Sequence, residues 1–220
     1  MVAIDSHIGT GVRPILNVRL PLAGFVGLAA AALSLGVMAN HGFNDDGLRG
    51  GSELSWRFAS FVFVAAAIAG PICRLIPLGI CKPLGLQRRQ LIWSFCISYG
   101  VFLASMILPN TLGGVTHEDA TTGMTLFSLF GGGAAAVLAY AAGRDAAARL
   151  GEKARRALLC VAASFFWLTY SLTGLAHLSG PHRPDAFYGI SLILMIFALL
   201  VRFADRFVAK LYGTPAAPAL

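Results

Sequence analysis

Residues 88–110 read Arg88-Arg89-Gln90, then LIWSFCISYGVFLASMIL from Leu91 to Leu108, then Pro109-Asn110. The central run contains no Asp, Glu, Lys or Arg. At 1.5 Å of rise per residue its length approaches the roughly 30 Å of hydrocarbon in a bilayer. A paired arginine stands before it and a proline closes it, so the stretch predicts a transmembrane helix with a positively charged foot.

The same unit recurs on both sides. Further spans are predicted at about 20–39, 54–73, 123–143, 157–178 and 186–204, beside the one at 91–108. Pro21 opens the first, at a position where a first-turn proline is tolerated, and Asn40-His41-Gly42 closes it. The second is expected to end on Gly70-Pro71 and Arg74. The sixth runs past Val201 through apolar residues interleaved with Arg202, Asp205 and Arg206, charges expected to snorkel. Residues 20–207 thus form a six-helix unit, preceded by 1–19 and followed by 208–220, where the Pro/Ala-rich stretch from Gly213 to Leu220 predicts disorder. Composition agrees. A soluble chain needs about a quarter charged residues to coat its surface, but these 220 residues are 57% hydrophobic and 12% charged, with mean hydropathy +0.73. The expected fold class is all-α, a polytopic membrane bundle.

A net charge of +7 would suggest nucleic acid in a soluble protein, but the basic residues lie in short loops beside apolar runs and form no aromatic-interleaved stripe. No nucleic-acid partner is expected; the lipid bilayer and other membrane subunits are. Sorted by alternate sides, fourteen of the seventeen Lys and Arg residues share one side, and only Arg49, Arg57 and Arg183 take the other. Basic residues near span ends stay on the cytoplasmic side. The split predicts both termini in the cytoplasm, in a bacterial-type inner membrane. A cleaved signal peptide is the alternative for the first span, but its apolar stretch exceeds the 7 to 15 residues usual for such a segment.

The span cores lack acids and bases, with Arg57 placed on the outer side, and this argues against a proton pump or ion-coupled transporter. Paired broken helices are also missing. Cys73 and Cys81 lie at the cytoplasmic face, Cys96 and Cys160 inside spans, so neither a disulfide nor a zinc site is expected. On the fourth span, Gly131, Ala135, Ala139 and Gly143 recur every four residues, with Ser128, Gly132 and Ala136 beside them. Such faces admit close helix approach, either within one bundle or onto another subunit. Phe165, Phe166, Trp167 and Tyr170 in the fifth span, with Trp93, Phe95, Tyr99 and Phe102 in the third, could fill what the small residues leave open or line a cofactor cavity.

Of the five histidines, His41, His117, His177 and His182 fall at or near the outer surface, beside acids such as Asp45, Asp46, Glu118, Asp119 and Asp185. Imidazole and carboxylate can hold a transition metal. The spacing matches no specific site, however, and none is expected. His177, in the last turn of the fifth span, is the one histidine placed within a helix.

Several short motifs then align in order: Gly70-Pro71-Ile72-Cys73-Arg74-Leu75 at a span end, Pro83 to Arg89 opening the third span, Thr122-Gly123 starting the fourth, Leu150-Gly151 with a basic cluster to Arg156, and Pro184, Tyr188 and Leu200-Val201-Arg202 in the last. In this order, over roughly 54–207, the chain resembles the ferric-reductase-like transmembrane family, in particular the haem-binding membrane subunits that serve periplasmic methionine sulfoxide reductase. The resemblance implies six helices and b-type haem held by histidines on the third and fifth spans, passing electrons from quinone or flavin to an outer acceptor. Here the implied ligand positions are Phe102, Leu158 and Ser171, none with a ligating nitrogen, and His177 lies six residues beyond the last. The expectation is a haem-free accessory subunit without catalysis of its own. The alternative is a haem b or quinone-linked electron-transfer subunit of an oxidoreductase, holding haem or another pigment on other ligands, such as His177 with Met106 or a partner's side chain.

Overall fold

The structure, a computed structural model, describes residues 22–42, 45–76, 87–112, 118–143, 145–179 and 186–212, and for 45, 108–112 and 118–125 the backbone alone. Every regular element among them is helical: α1 (Leu22–His41), α2 (Asp45–Leu75), α3 (Arg88–Leu112), α4 (Glu118–Ala141), α5 (Ala146–Leu150), α6 (Glu152–Ser179) and α7 (Ala186–Leu211). Five stretches, Leu22–His41, Asp46–Leu75, Arg88–Ile107, Glu152–Ser179 and Ala186–Leu211, are long and apolar enough to cross a membrane, which makes the chain a multi-pass membrane protein. The apolar part described for α4, Leu126–Ala141, is shorter. The expected N-terminal segment 1–19 and the tail from Gly213 lie outside the described residues.

Most helices overrun the limits marked by hydropathy, because apolarity reports where lipid begins rather than where backbone hydrogen bonding ends. α2 starts nine residues before Leu54, and its polar first turns are stapled by the ion pair of Glu53 with Arg57. α6 starts at Glu152, whose Oε1 accepts from Arg156 Nε at 2.7 Å. α7 continues to Leu211, so residues 208–211 belong to a helix and not to the tail. Where a stop is built in, the sequence marks it: Gly42 takes φ 83° just after α1, and Gly151, φ 75°, separates α5 from α6.

The second helix passes through Gly70-Pro71 and ends at Leu75, one residue beyond the expected Arg74. Proline lacks an N–H and so strips the helical donor from the carbonyl four residues back. That carbonyl, of Ala67, is met from α7 by Arg202 Nε at 3.5 Å. Asp205 does not snorkel. It is 4% exposed, with Oδ2 2.6 Å from Arg74 Nη2, an ion pair that ties α7 to α2.

α2 packs against α1, α3 and α7; α3 also meets α4, and α6 meets α4 and α7. These contacts close a ring in the order α2, α3, α4, α6, α7, with α1 seated outside it against α2 and α3. Ala23, Gly27, Ala30, Ser34 and Met38 form the buried face of α1. There a Cβ on Gly27 would collide with Ile97, and Ser34 Oγ donates to the Gly51 carbonyl at 3.2 Å. The side-chain distribution inverts that of a soluble protein. Leu129, Val161 and Ile193 face outward, each about two-thirds exposed, whereas seven serines, among them Ser60, Ser94, Ser98 and Ser105, face inward. Those four bond carbonyls of their own helix at 2.7–2.8 Å. Lipid offers apolar side chains no reason to hide, so small residues and rings do the packing.

Candidate functional site

The interior of the ring is where the resemblance would place haem, and it is occupied by aromatic side chains. α2 contributes Trp56 and Phe63, α3 contributes Phe95, Tyr99 and Phe102, α4 contributes Phe127, and α6 contributes Phe166 and Tyr170. Trp56 stands 4.3 Å from Tyr170, 5.0 Å from Phe102 and 5.9 Å from Phe127, centroid to centroid. Phe166 is edge-on to Phe95 at 4.7 Å and to Tyr99 at 4.9 Å. These are the tilted and edge-to-face geometries that ring quadrupoles favour, worth about 0.5–1.5 kcal/mol each beyond burial. Of the other aromatics expected to face inward, Trp93 is exposed, Phe165 is half-buried, and Trp167 is half-buried and donates Nε1 to the Met195 carbonyl at 3.3 Å.

The small face of α4 is cut to this cluster. A Cβ on Gly131 would stand 2.0 Å from the Tyr99 hydroxyl and 3.0 Å from its Cζ. Ala135 is buried, and its carbonyl accepts from Cys96 Sγ at 3.4 Å. Ala139, Ser128 and Gly132 are half-buried and Ala136 is exposed. Gly143 lies beyond the helix end, in a turn where its N–H bonds the Tyr140 carbonyl at 2.9 Å.

The implied ligand positions fall as follows. Phe102 is buried at 7% exposure, between Trp56, Tyr99 at 5.5 Å and Phe127 at 6.5 Å. Leu158 packs against the core from α6. Ser171 follows Tyr170, its Oγ buried without a hydrogen-bond partner among the described residues, as are the hydroxyls of Tyr99 and Tyr170. His177 is exposed at the far end of α6, with Nδ1 2.9 Å from the Thr173 carbonyl and its ring stacked on Tyr188 at 3.9 Å. Met106 packs against the core from α3. His41 is exposed at the end of α1; His117 and His182 lie outside the described residues. No three metal-ligating side chains converge among the described residues.

Polar clasps close both ends of the ring. At one end, the Arg57 guanidinium lies over Phe187 at 4.7 Å and Tyr188 at 5.6 Å, and Tyr188 donates to Glu53 at 3.3 Å. Together with His177 this joins α2, α6 and α7. At the other end, besides the pair of Arg74 with Asp205, Arg155 Nε donates to the last-turn carbonyl of Ala141 at 2.9 Å, a favourable use of a cation at a helix C-terminus. Arg88 sits within electrostatic reach of Arg202, Arg155, Arg74 and Asp205.

Sequence reasoning missed Trp56, Phe63 and Phe127, because Phe61 and Phe130 on the same two helices face outward and hydropathy does not tell the two sets apart. It also missed both clasps, whose members are up to 135 residues apart. Their only early signal was the presence of Arg57 and Asp205 at the ends of apolar stretches. Compared with protein-family models, curated proteins and solved structures, the chain matches none.

Proposed function

We propose that this protein is a haem-free, six-span scaffold of ferric-reductase-like architecture, an accessory subunit of a complex in a bacterial-type inner membrane with both termini on the cytoplasmic side. The observation that carries this reading is the packing around Phe102. A ring held by Trp56, Tyr99 and Phe127 stands at the position where the resemblance implies a haem ligand, and the space beside it is taken by side chains in mutual contact. The orientation rests on the fourteen-to-three division of basic residues, and the fourth span on α4 lying between α3 and α6 in the ring.

The test is optical. Protein purified from haem-replete membranes is expected to lack a stoichiometric Soret band. Such a band, with α-bands that shift on reduction by dithionite, would overturn the haem-free reading in favour of an electron-transfer subunit. Purification in mild detergent is expected to bring partner subunits along, and consistent recovery of a lone monomer would refute the accessory role.

A further inference from the structure

α6 and α7 run antiparallel along one seam, traced by His177 stacked on Tyr188 at 3.9 Å, Gly174 beside Leu192, and Trp167 Nε1 on the Met195 carbonyl at 3.3 Å. Continued in steps of three or four residues, the seam passes through Cys160, Arg156 and Lys153 on α6, and through Arg202, Arg206 and Lys210 on α7. Cys160 and Arg202 lie within electrostatic reach of each other, as that register requires. The next turns set Arg156 level with Arg206, and Lys153 level with Lys210. All four of these cations are exposed.

Little negative charge offsets them. Glu152, the only acid in α6, is shared by Arg155 and Arg156 at 3.2 and 2.7 Å, and Asp205 is held on the α2 side of α7 by Arg74 at 2.6 Å. Asp145 is exposed ahead of α5. Lys153, Arg206 and Lys210 form no ion pair among the described residues. Beside them runs an outward stripe of Ile193, Leu200, Phe203, Phe207 and Leu211, each 60–67% exposed. The stripe belongs to a helix long and apolar enough to cross the bilayer, and it continues unbroken to the level of Arg206 and Lys210. The cations thus stand where a hydrocarbon-facing surface ends, a pattern that suits a ligand anionic at its head and apolar behind it.

We propose that this end of the α6–α7 seam is a docking surface for an anionic phospholipid, its phosphodiester held among Lys153, Arg206 and Lys210 and its acyl chains laid along Leu200, Phe203 and Phe207. A single Lys or Arg beside a membrane surface favours anionic lipid roughly fivefold, and here three act on one headgroup. The Arg206 guanidinium adds donors in a fork that fits phosphate oxygens. An acidic protein is the poorer fit, because the stripe leading to these cations faces hydrocarbon. Lipid docking here needs only the membrane-spanning helices; it does not depend on the haem-free reading, and the proposed orientation decides only which leaflet supplies the lipid.

The experiment delipidates the full-length protein in detergent, offers equimolar phosphatidylglycerol and phosphatidylcholine at low ionic strength, and counts retained lipids by native mass spectrometry. Wild type is expected to retain phosphatidylglycerol about tenfold or more over phosphatidylcholine. The double variant Arg206→Gln with Lys210→Gln is expected to fall below about threefold, with Lys153→Gln alone in between. Arg89→Gln with Arg149→Gln removes the same charge from exposed positions off the seam, on α3 and α5, and is expected to keep the wild-type ratio. Inorganic phosphate at millimolar concentration is expected not to displace the lipid. A wild-type ratio near one overturns the proposal and leaves the surface to an acidic protein. Equal falls in the two double variants overturn it by reducing the preference to net charge, and displacement by inorganic phosphate overturns it by making the surface a site for free anion. The wild-type ratio decides the matter even if a variant fails to fold.

Discussion

Replacing Gly131 by alanine is the sharpest probe of the aromatic interior. The added Cβ falls 2.0 Å from the Tyr99 hydroxyl, 3.0 Å from Cζ and 3.2 Å from Cε1, so the ring must retreat by more than an ångström. It has nowhere to go: Tyr99 has no exposure, with Phe166 at 4.9 Å, Phe102 at 5.5 Å and Phe95 at 5.9 Å. Overpacking of this kind costs about 1–3 kcal/mol, roughly a 5- to 140-fold change in the folding equilibrium. Gly133→Ala is the matched control, with nothing within 4 Å of its Cβ, and is expected to be neutral or slightly stabilising. Tyr99→Phe removes the atom struck first. Because that hydroxyl has no partner among the described residues, the substitution sacrifices no hydrogen bond, and in the double variant it should restore more than half of the loss. The assay is equilibrium unfolding in mixed detergent and SDS, followed by circular dichroism. Gly131→Ala as stable as Gly133→Ala, or strictly additive effects of Gly131→Ala and Tyr99→Phe, would refute the packing described.

Asp205→Asn removes the carboxylate that Arg74 binds. Breaking a fully buried pair costs about 3–5 kcal/mol, but Arg74 is 37% exposed and water screens it, so about 1–3 kcal/mol is expected. In the same unfolding assay, the double variant with Arg74→Gln should lose less than the single one. Ser34→Ala deletes the hydroxyl that bonds the Gly51 carbonyl across the first hairpin and should cost about 0.5–1.5 kcal/mol; no loss would show that the close backbone approach alone holds α1. In a background lacking the four native cysteines, Asp46→Cys should react with an impermeant maleimide from outside the cell and Arg206→Cys only after permeabilisation. The reverse pattern would invert the proposed orientation.

The helical class and the places of the apolar stretches were legible from hydropathy, because a bilayer demands long uncharged runs whatever they pack against. Helix ends were less so. Gly42 declared itself, but Gly151 was not read as a stop, and the passage of α2 through Pro71 depends on another helix serving the bared Ala67 carbonyl. The small residues of α4 stood out in sequence, but not that Gly131 is cut to Tyr99, which is decided by helix rotation about its axis. An outward-facing leucine and an inward-facing alanine are both apolar, so hydropathy cannot orient a lipid-bathed helix. The same blindness hid the small face of α1. Asp205 was mistaken for a snorkelling charge because Arg74, its partner, is 131 residues away.

Eight interlocked rings also give the interior a particular mechanics. A free side chain changes rotamer in picoseconds to nanoseconds, but Tyr99 cannot turn over unless Phe95, Phe102 and Phe166 give way, and Phe166 in turn bears on Phe63 at 6.0 Å. Reorientation is therefore a concerted event, slowed to the pace of the helices that carry the rings. Like meshed gears, the cluster transmits displacement sideways: a push on α4 at Gly131 passes through Tyr99 to Trp56 on α2 and Phe166 on α6 without involving a single loop.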